Sequence, residues 1–191
     1  MTLSSLSAPP PAPAPPLPPA LVLLACGTPA KVAARLHKAA PVLAEALGLA
    51  LAPSLDPADP QGALAALSDQ GAGAGGSPSR LAPLPRDPGQ GLAGGGHWAE
   101  ALGAWRQPAL LLFSTKQLNS GLPAAATALL ERWQVPCAGL VQWGGRWQAG
   151  DRRADALPWL GGLQLDGVAE AADPLLLRRA LALRRQQLEG R

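Results

Sequence analysis

Lys31 and Lys116 are the residues of this chain best placed to grip an anion, because each follows an apolar run and stands at a helix start. Lys31 closes the segment Cys26-Gly27-Thr28-Pro29-Ala30-Lys31. A Gly beside a helix N-terminus lets backbone N–H groups approach a phosphate or carboxylate, and the helix dipole favours the negative charge. Gly27, Thr28 and Lys31 are therefore candidate cofactor-binding residues, although a generic strand-to-helix turn is the preferred expectation for this loop taken alone. Lys116 belongs to Ser114-Thr115-Lys116-Gln117-Leu118-Asn119-Ser120, where Ser114, Thr115, Lys116 and Asn119 could hold a substrate carboxylate or phosphate. Ordinary capping by Asn119 and Ser120 beside a solvated Lys116 explains the same residues equally well. A third polar stretch, Gln142-Trp143-Gly144-Gly145-Arg146, adds Trp143, which could stack on a planar ligand. Trp143 and Trp147 could instead cover the sheet edge, and covering is the preferred expectation.

The rest of a catalytic apparatus is missing. A phosphate loop needs Gly, four residues, Gly-Lys and then Ser or Thr. From Gly27 to Arg35 there is no second Gly, no Lys at that spacing and no hydroxyl placed for Mg²⁺. The stretch GQGLAGGG at 89–96 follows no clear strand, so it does not meet the dinucleotide fingerprint. There is no Gly-x-Ser-x-Gly elbow. His37 and His97 lack Cys or acidic companions at ligand spacing, so no metal site is expected. Asp56, Asp59, Asp151 and Asp155 sit in turn-like contexts. The catalytic residues are left unassigned.

The stretch 107–143, QPALLLFSTKQLNSGLPAAATALLERWQVPCAGLVQW, positions two of these loops. A fully apolar run at 109–113 is followed by a polar loop, an amphipathic helix and a second apolar run at 137–141. That is the pattern of a parallel β-α-β unit, whose loop lies at the carboxyl edge of a sheet. Leu122, Ala126, Leu129, Leu130 and Trp133 line one face of the helix, and Pro123 falls in its first turn.

The same alternation extends to both ends. Residues 20–25 read as a buried strand. Thr28 caps a helix with Pro29 at its first position, and Pro41 kinks or restarts it. Residues 49–52 suggest a short second strand and 63–67 a short helix. Residues 53–96 are otherwise poor in core formers and read as a flexible insertion, with a Gly-rich loop at 71–80. Trp98, Leu102 and Trp105 form the core stripe of a helix over 97–105. Residues 157–160 suggest another short strand, and Asp173-Pro174 starts a last helix. The expected fold is α/β, one domain over 20–191, with a mainly parallel sheet of about four or five strands and helices on both faces. The Pro-rich segment 1–19 is expected to be a disordered tail.

Composition narrows the function class. The 191 residues contain no Tyr and one Phe, and Val is the main β-branched residue left to build strands. Net charge is +3, with Arg178, Arg179, Arg184 and Arg185 in the last helix, read as a solvated helix face. No basic stretch is interleaved with stacking aromatics, so nucleic acid is not the expected partner. A small-molecule ligand and a homodimer are both left open as partners. No run approaches the roughly 18 apolar residues of a membrane span. Cys26 and Cys137 lie in apolar runs as buried thiols, which fits a reducing cytoplasm. Leu23-Leu24-Ala25-Cys26-Gly27 looks like a bacterial lipoprotein cleavage box, but no Lys or Arg precedes it and prolines crowd the short apolar run.

These pieces resemble a known family. Residues 91–143 are similar to the second half of dethiobiotin synthetase and its cobyrinate amidase relatives, of the P-loop NTPase group. The resemblance rests on GLAGGG, HWAEALGAW, PALLLFS, TKQLNSGLPAAATALLERW, QVPCAGLVQW and the later LPWLGGL, in order and spacing more than in identity. Cys26-Gly27-Thr28 resembles the Gly-Thr that opens that family's phosphate loop. The resemblance implies an α/β nucleotide-binding fold using ATP and Mg²⁺ to activate a carboxylate or carbamate. The family's phosphate-loop Lys and following Thr have no counterpart here. Gln90 stands where the family has an acidic residue, and Gln142 stands nearest its strand-end Asn.

The leading expectation is thus a degenerate relative that binds a ligand without ATP chemistry. One alternative is an active ATP-dependent ligase using Lys31 and Lys116, with ATP and Mg²⁺ as cofactors. Another is a lipid-anchored envelope protein processed at Cys26.

Overall fold

The apolar run at 20–25 forms strand β1 (Ala20–Ala25), buried along its whole length. The structure is a computed structural model and describes residues 18–69, 80–163 and 174–190. Most of the expected tail, the Gly-rich loop at 71–79 and Asp173 fall outside the described residues.

After β1 come helix α1 (Pro29–Leu47), strand β2 (Ala50–Leu51), helix α2 (Pro60–Asp69), strand β3 (Arg80–Pro83) and helix α3 (Trp98–Ala104). Strand β4 (Ala109–Ser114), helices α4 (Thr115–Leu118) and α5 (Leu122–Arg132), and strand β5 (Cys137–Trp143) follow. Helix α6 (Ala149–Arg153), strand β6 (Trp159–Leu163) and helix α7 (Pro174–Glu189) complete the described chain. The strands make one six-stranded sheet in the order β2-β3-β1-β4-β5-β6. Every pairing between these strands is parallel. The architecture is α/β as the alternation required, with six strands among the described residues rather than four or five.

The additional strand is β3, inside the stretch read as an insertion. It lies between β2 and β1 and pairs with both. Its short run ends in Pro83, a poor strand former tolerated at a strand end because it only has to accept there. The Pro83 carbonyl indeed accepts from the Leu55 amide at 2.9 Å.

A parallel sheet covered on both faces needs strands apolar throughout. Alternate residues of β1 serve two cores. Leu21, Leu23 and Ala25 share one layer with Val32, Leu36 and Leu43 of α1 and Leu177 and Leu181 of α7. Val22, Leu24 and, just past the strand, Cys26 share the other layer with Leu64 of α2, Trp98 and Leu102 of α3, and Leu130 of α5. Both β1 neighbours, β3 and β4, contribute to each layer in the same alternation.

Local signals set the helix ends. Pro29 occupies the first turn of α1, and Gly48 ends it in the left-handed conformation at φ 70°. Gly48 donates to Glu45 O at 3.0 Å and Leu49 to Ala44 O at 2.8 Å, the paired bonds of a Schellman stop. Pro41 neither ends nor restarts α1, which runs through it as one helix. The loss of one backbone donor is absorbed by burial of Leu36, Ala40, Leu43 and Ala44 around it. No helix among the described residues is long and apolar enough to cross a membrane.

Candidate functional site

The strand order decides where a ligand would sit. From β1 the chain leaves toward β2 on one side, whereas from β4 it leaves toward β5 on the other. In open parallel sheets the ligand crevice lies beyond the carboxyl ends of strands at such a reversal. The order matches neither 3-2-1-4-5-6 nor 2-1-3-4-5, the two common doubly wound orders. The same rule nonetheless places the turns after β1 and β4 side by side, and with them Gly27, Thr28, Ser114, Thr115 and Lys116. The β1–β4 pairing register, Ala25 opposite Leu112, fixes that adjacency.

The turn after β1 is held from inside the protein. Gly27 has φ 139°, which disfavours any side chain. Its N–H donates to Asp87 Oδ2 at 2.8 Å. The other Asp87 oxygen accepts from the Gly89 amide at 2.9 Å. Asp87 lies just after β3, and the prolines at 83, 85 and 88 that frame it hid its strand-end position in the sequence. Thr28 takes the N-cap position of α1 in extended conformation, but its side chain makes no capping bond. Lys31 is exposed on the first turn of α1.

Cys26, the last residue before this turn, is buried at 3 % exposure. Burial, and then the Asp87 carboxylate, push its thiol up to about 12, against a smaller downward pull from Arg35. Such a thiol stays protonated at neutral pH and is a poor nucleophile. Its carbonyl accepts from Arg35 Nη1 at 3.2 Å and from Gln117 Nε2 at 2.9 Å.

Gln117 links the two turns. Its Oε1 accepts from the Ser114 amide and from the Ser114 hydroxyl, each at 3.0 Å, while its Nε2 reaches across to Cys26 O. The expected polar loop is therefore a short capped helix, α4, opened by Ser114 and Gln117. Asn119 ends α4 instead of starting the long helix. The Ser120 hydroxyl accepts from the Leu122 amide at 3.3 Å at the start of α5. Thr115 Oγ1 donates to Gly144 O at 2.7 Å, tying α4 to the end of β5. Lys116 and Asn119 are exposed.

The turn after β5 separates the two tryptophans. Trp143 is buried in the layer under α1 and α7. Trp147 instead meets Trp159 at 6.1 Å between ring centroids, and Trp159 in turn packs against Phe113 of the opposite layer. Gln142 is 2 % exposed, and its Nε2 donates to Gly144 O at 3.0 Å and Arg146 O at 3.2 Å. This amide holds its own loop and has no donor to spare in that arrangement.

The structure thus gathers Gly27, Thr28, Ser114, Thr115 and Lys116 at one sheet edge and turns Trp143 inward. Asp87 and Gln117 are the residues that sequence reasoning left without a role. Among the described residues no group of three or more His, Cys, Asp or Glu could hold a metal ion. Set against protein-family models, curated proteins and solved structures, the chain matches none.

Proposed function

We propose that this chain is a degenerate relative of the dethiobiotin-synthetase-like P-loop fold, which binds a small ligand at the carboxyl edge of its sheet without ATP-dependent chemistry. The observation that carries this reading is the Asp87 carboxylate seated on the Gly27 amide. A phosphate approaching that turn would have to displace a resident negative charge, and like charges in one site repel. Two further features support the reading. Gln117 bridges the turns after β1 and β4, using both ends of its amide on the protein itself. Gln142, in the position nearest the family's base-holding Asn, spends its donors on its own loop. ATP and Mg²⁺ do not fit these residues.

The lipid-anchor reading fares worse. Cleavage before Cys26 would remove β1, an interior strand paired with both β3 and β4. Two buried free thiols accord with a reducing compartment, and a cytoplasmic location forms part of the proposal.

Isothermal titration with Mg²⁺–ATP, paired with a phosphate-release assay, tests the reading. No binding heat and no turnover are expected; tight binding with turnover overturns it. A thermal-shift panel of nucleotides and small carboxylates then identifies any ligand of the native state by the rise in Tm it causes.

A further inference from the structure

We draw no further inference here: the strongest candidate, the apolar groove of about 670 Å³ between the first half of α1 and residues 52–54 after β2, carries nothing because nothing in the structure shows what covers it.

Discussion

Asp87 accepts the amide of Gly27, 60 residues earlier in the chain, at 2.8 Å. That bond joins the turn after β3 to the turn after β1, two neighbouring strands of the sheet. It also decides the character of the β1 turn. A backbone amide at φ 139° with no internal acceptor would invite an anion from solution. Here the protein supplies the anion itself.

Removing that carboxylate should loosen both turns. Asp87→Ala strands the Gly27 and Gly89 amides, which then depend on water. Hydrogen bonds to a charged partner contribute roughly 1.5–3 kcal/mol, and partial solvent access here places the expected loss near the lower end, at about 1–2 kcal/mol. Asp87→Asn keeps one carbonyl acceptor and should recover about half of that loss. Urea unfolding of both variants measures this. An Ala variant as stable as the parent would mean that the bond is not a structural tie.

Gln117 presents a sharper case because one amide group uses both ends. Gln117→Ala removes the acceptor for the Ser114 amide and the donor to Cys26 O together. Gln117→Glu retains acceptors for Ser114 but places a carboxylate against the Cys26 carbonyl. The Glu variant should therefore be at least as destabilised as the Ala variant at neutral pH, each by about 1–3 kcal/mol. It should regain stability as pH falls and the carboxyl protonates, whereas the Ala variant should not. Denaturant melts of both variants at pH 4.5 and 7.5 read this difference. Parallel pH responses would remove the bridge from the account of the crevice.

Long-period patterns were legible in the sequence, while short and long-range ties were not. The fully apolar runs of β1, β4 and β5 announce strands buried on both faces, and the Trp98–Leu102 spacing announces α3. By contrast, β3 is four residues long and ends in proline, so no periodicity marks it. The arginines of α7 illustrate the second limit. They read as a solvated face, which holds for exposed Arg178 and Arg179, yet Arg178 also donates to Ala46 O at 2.9 Å and Arg184 to Cys137 O at 3.1 Å. Arg185, at 4 % exposure, reaches Pro18 O at 3.3 Å ahead of β1. Guanidinium groups that bind carbonyls in other elements look like any helical charge when read along the chain. The site shows the same division. The turns carrying Gly27, Thr28 and Ser114–Lys116 followed from the β-α-β pattern, but nothing local to Asp87 reveals a partner 60 residues away.

Cys26 gives the fold a definite alkaline response. Its folded-state pKa is raised from 9.0 to about 12, chiefly by burial. Below the unfolded value both states hold the proton and the contribution to stability is intact. As pH rises above 9 the unfolded chain releases its proton first, so the unfolded state is favoured. The contribution is lost progressively until pH passes through the folded value near 12. Cys137, also raised mainly by burial, acts in the same direction. Chemical denaturation between pH 8 and 10.5 should show falling stability, with a shallower fall in Cys26→Ala. Alkylation by iodoacetamide at pH 8 should be slow in the native protein and fast in urea. Rapid native labelling of Cys26 would contradict its placement at the end of an interior strand.

Gly103 tests the packing of α3 on α5. A Cβ added at this position would overlap the Trp133 carbonyl oxygen and lie 2.9 Å from its carbonyl carbon. Both are backbone atoms and cannot swing aside as a flexible side chain would. In an ordinary exposed helix Gly→Ala is stabilising by up to about 1 kcal/mol. Here the helices must separate, which pulls wholly buried Trp98 and Leu102 from their layer and disturbs the edge-on contact of His97 with Trp133, 5.1 Å between centroids. Overpacking of this kind costs about 1–3 kcal/mol or more, so the propensity gain loses. Gly103→Ala should lower Tm by several degrees and weaken near-ultraviolet dichroism from the tryptophans. Gly94→Ala, where an added Cβ meets nothing within 4 Å, is the control and should leave both readings unchanged. A Gly103→Ala protein as stable as that control would require α3 and α5 to lie farther apart than the Trp133 carbonyl allows.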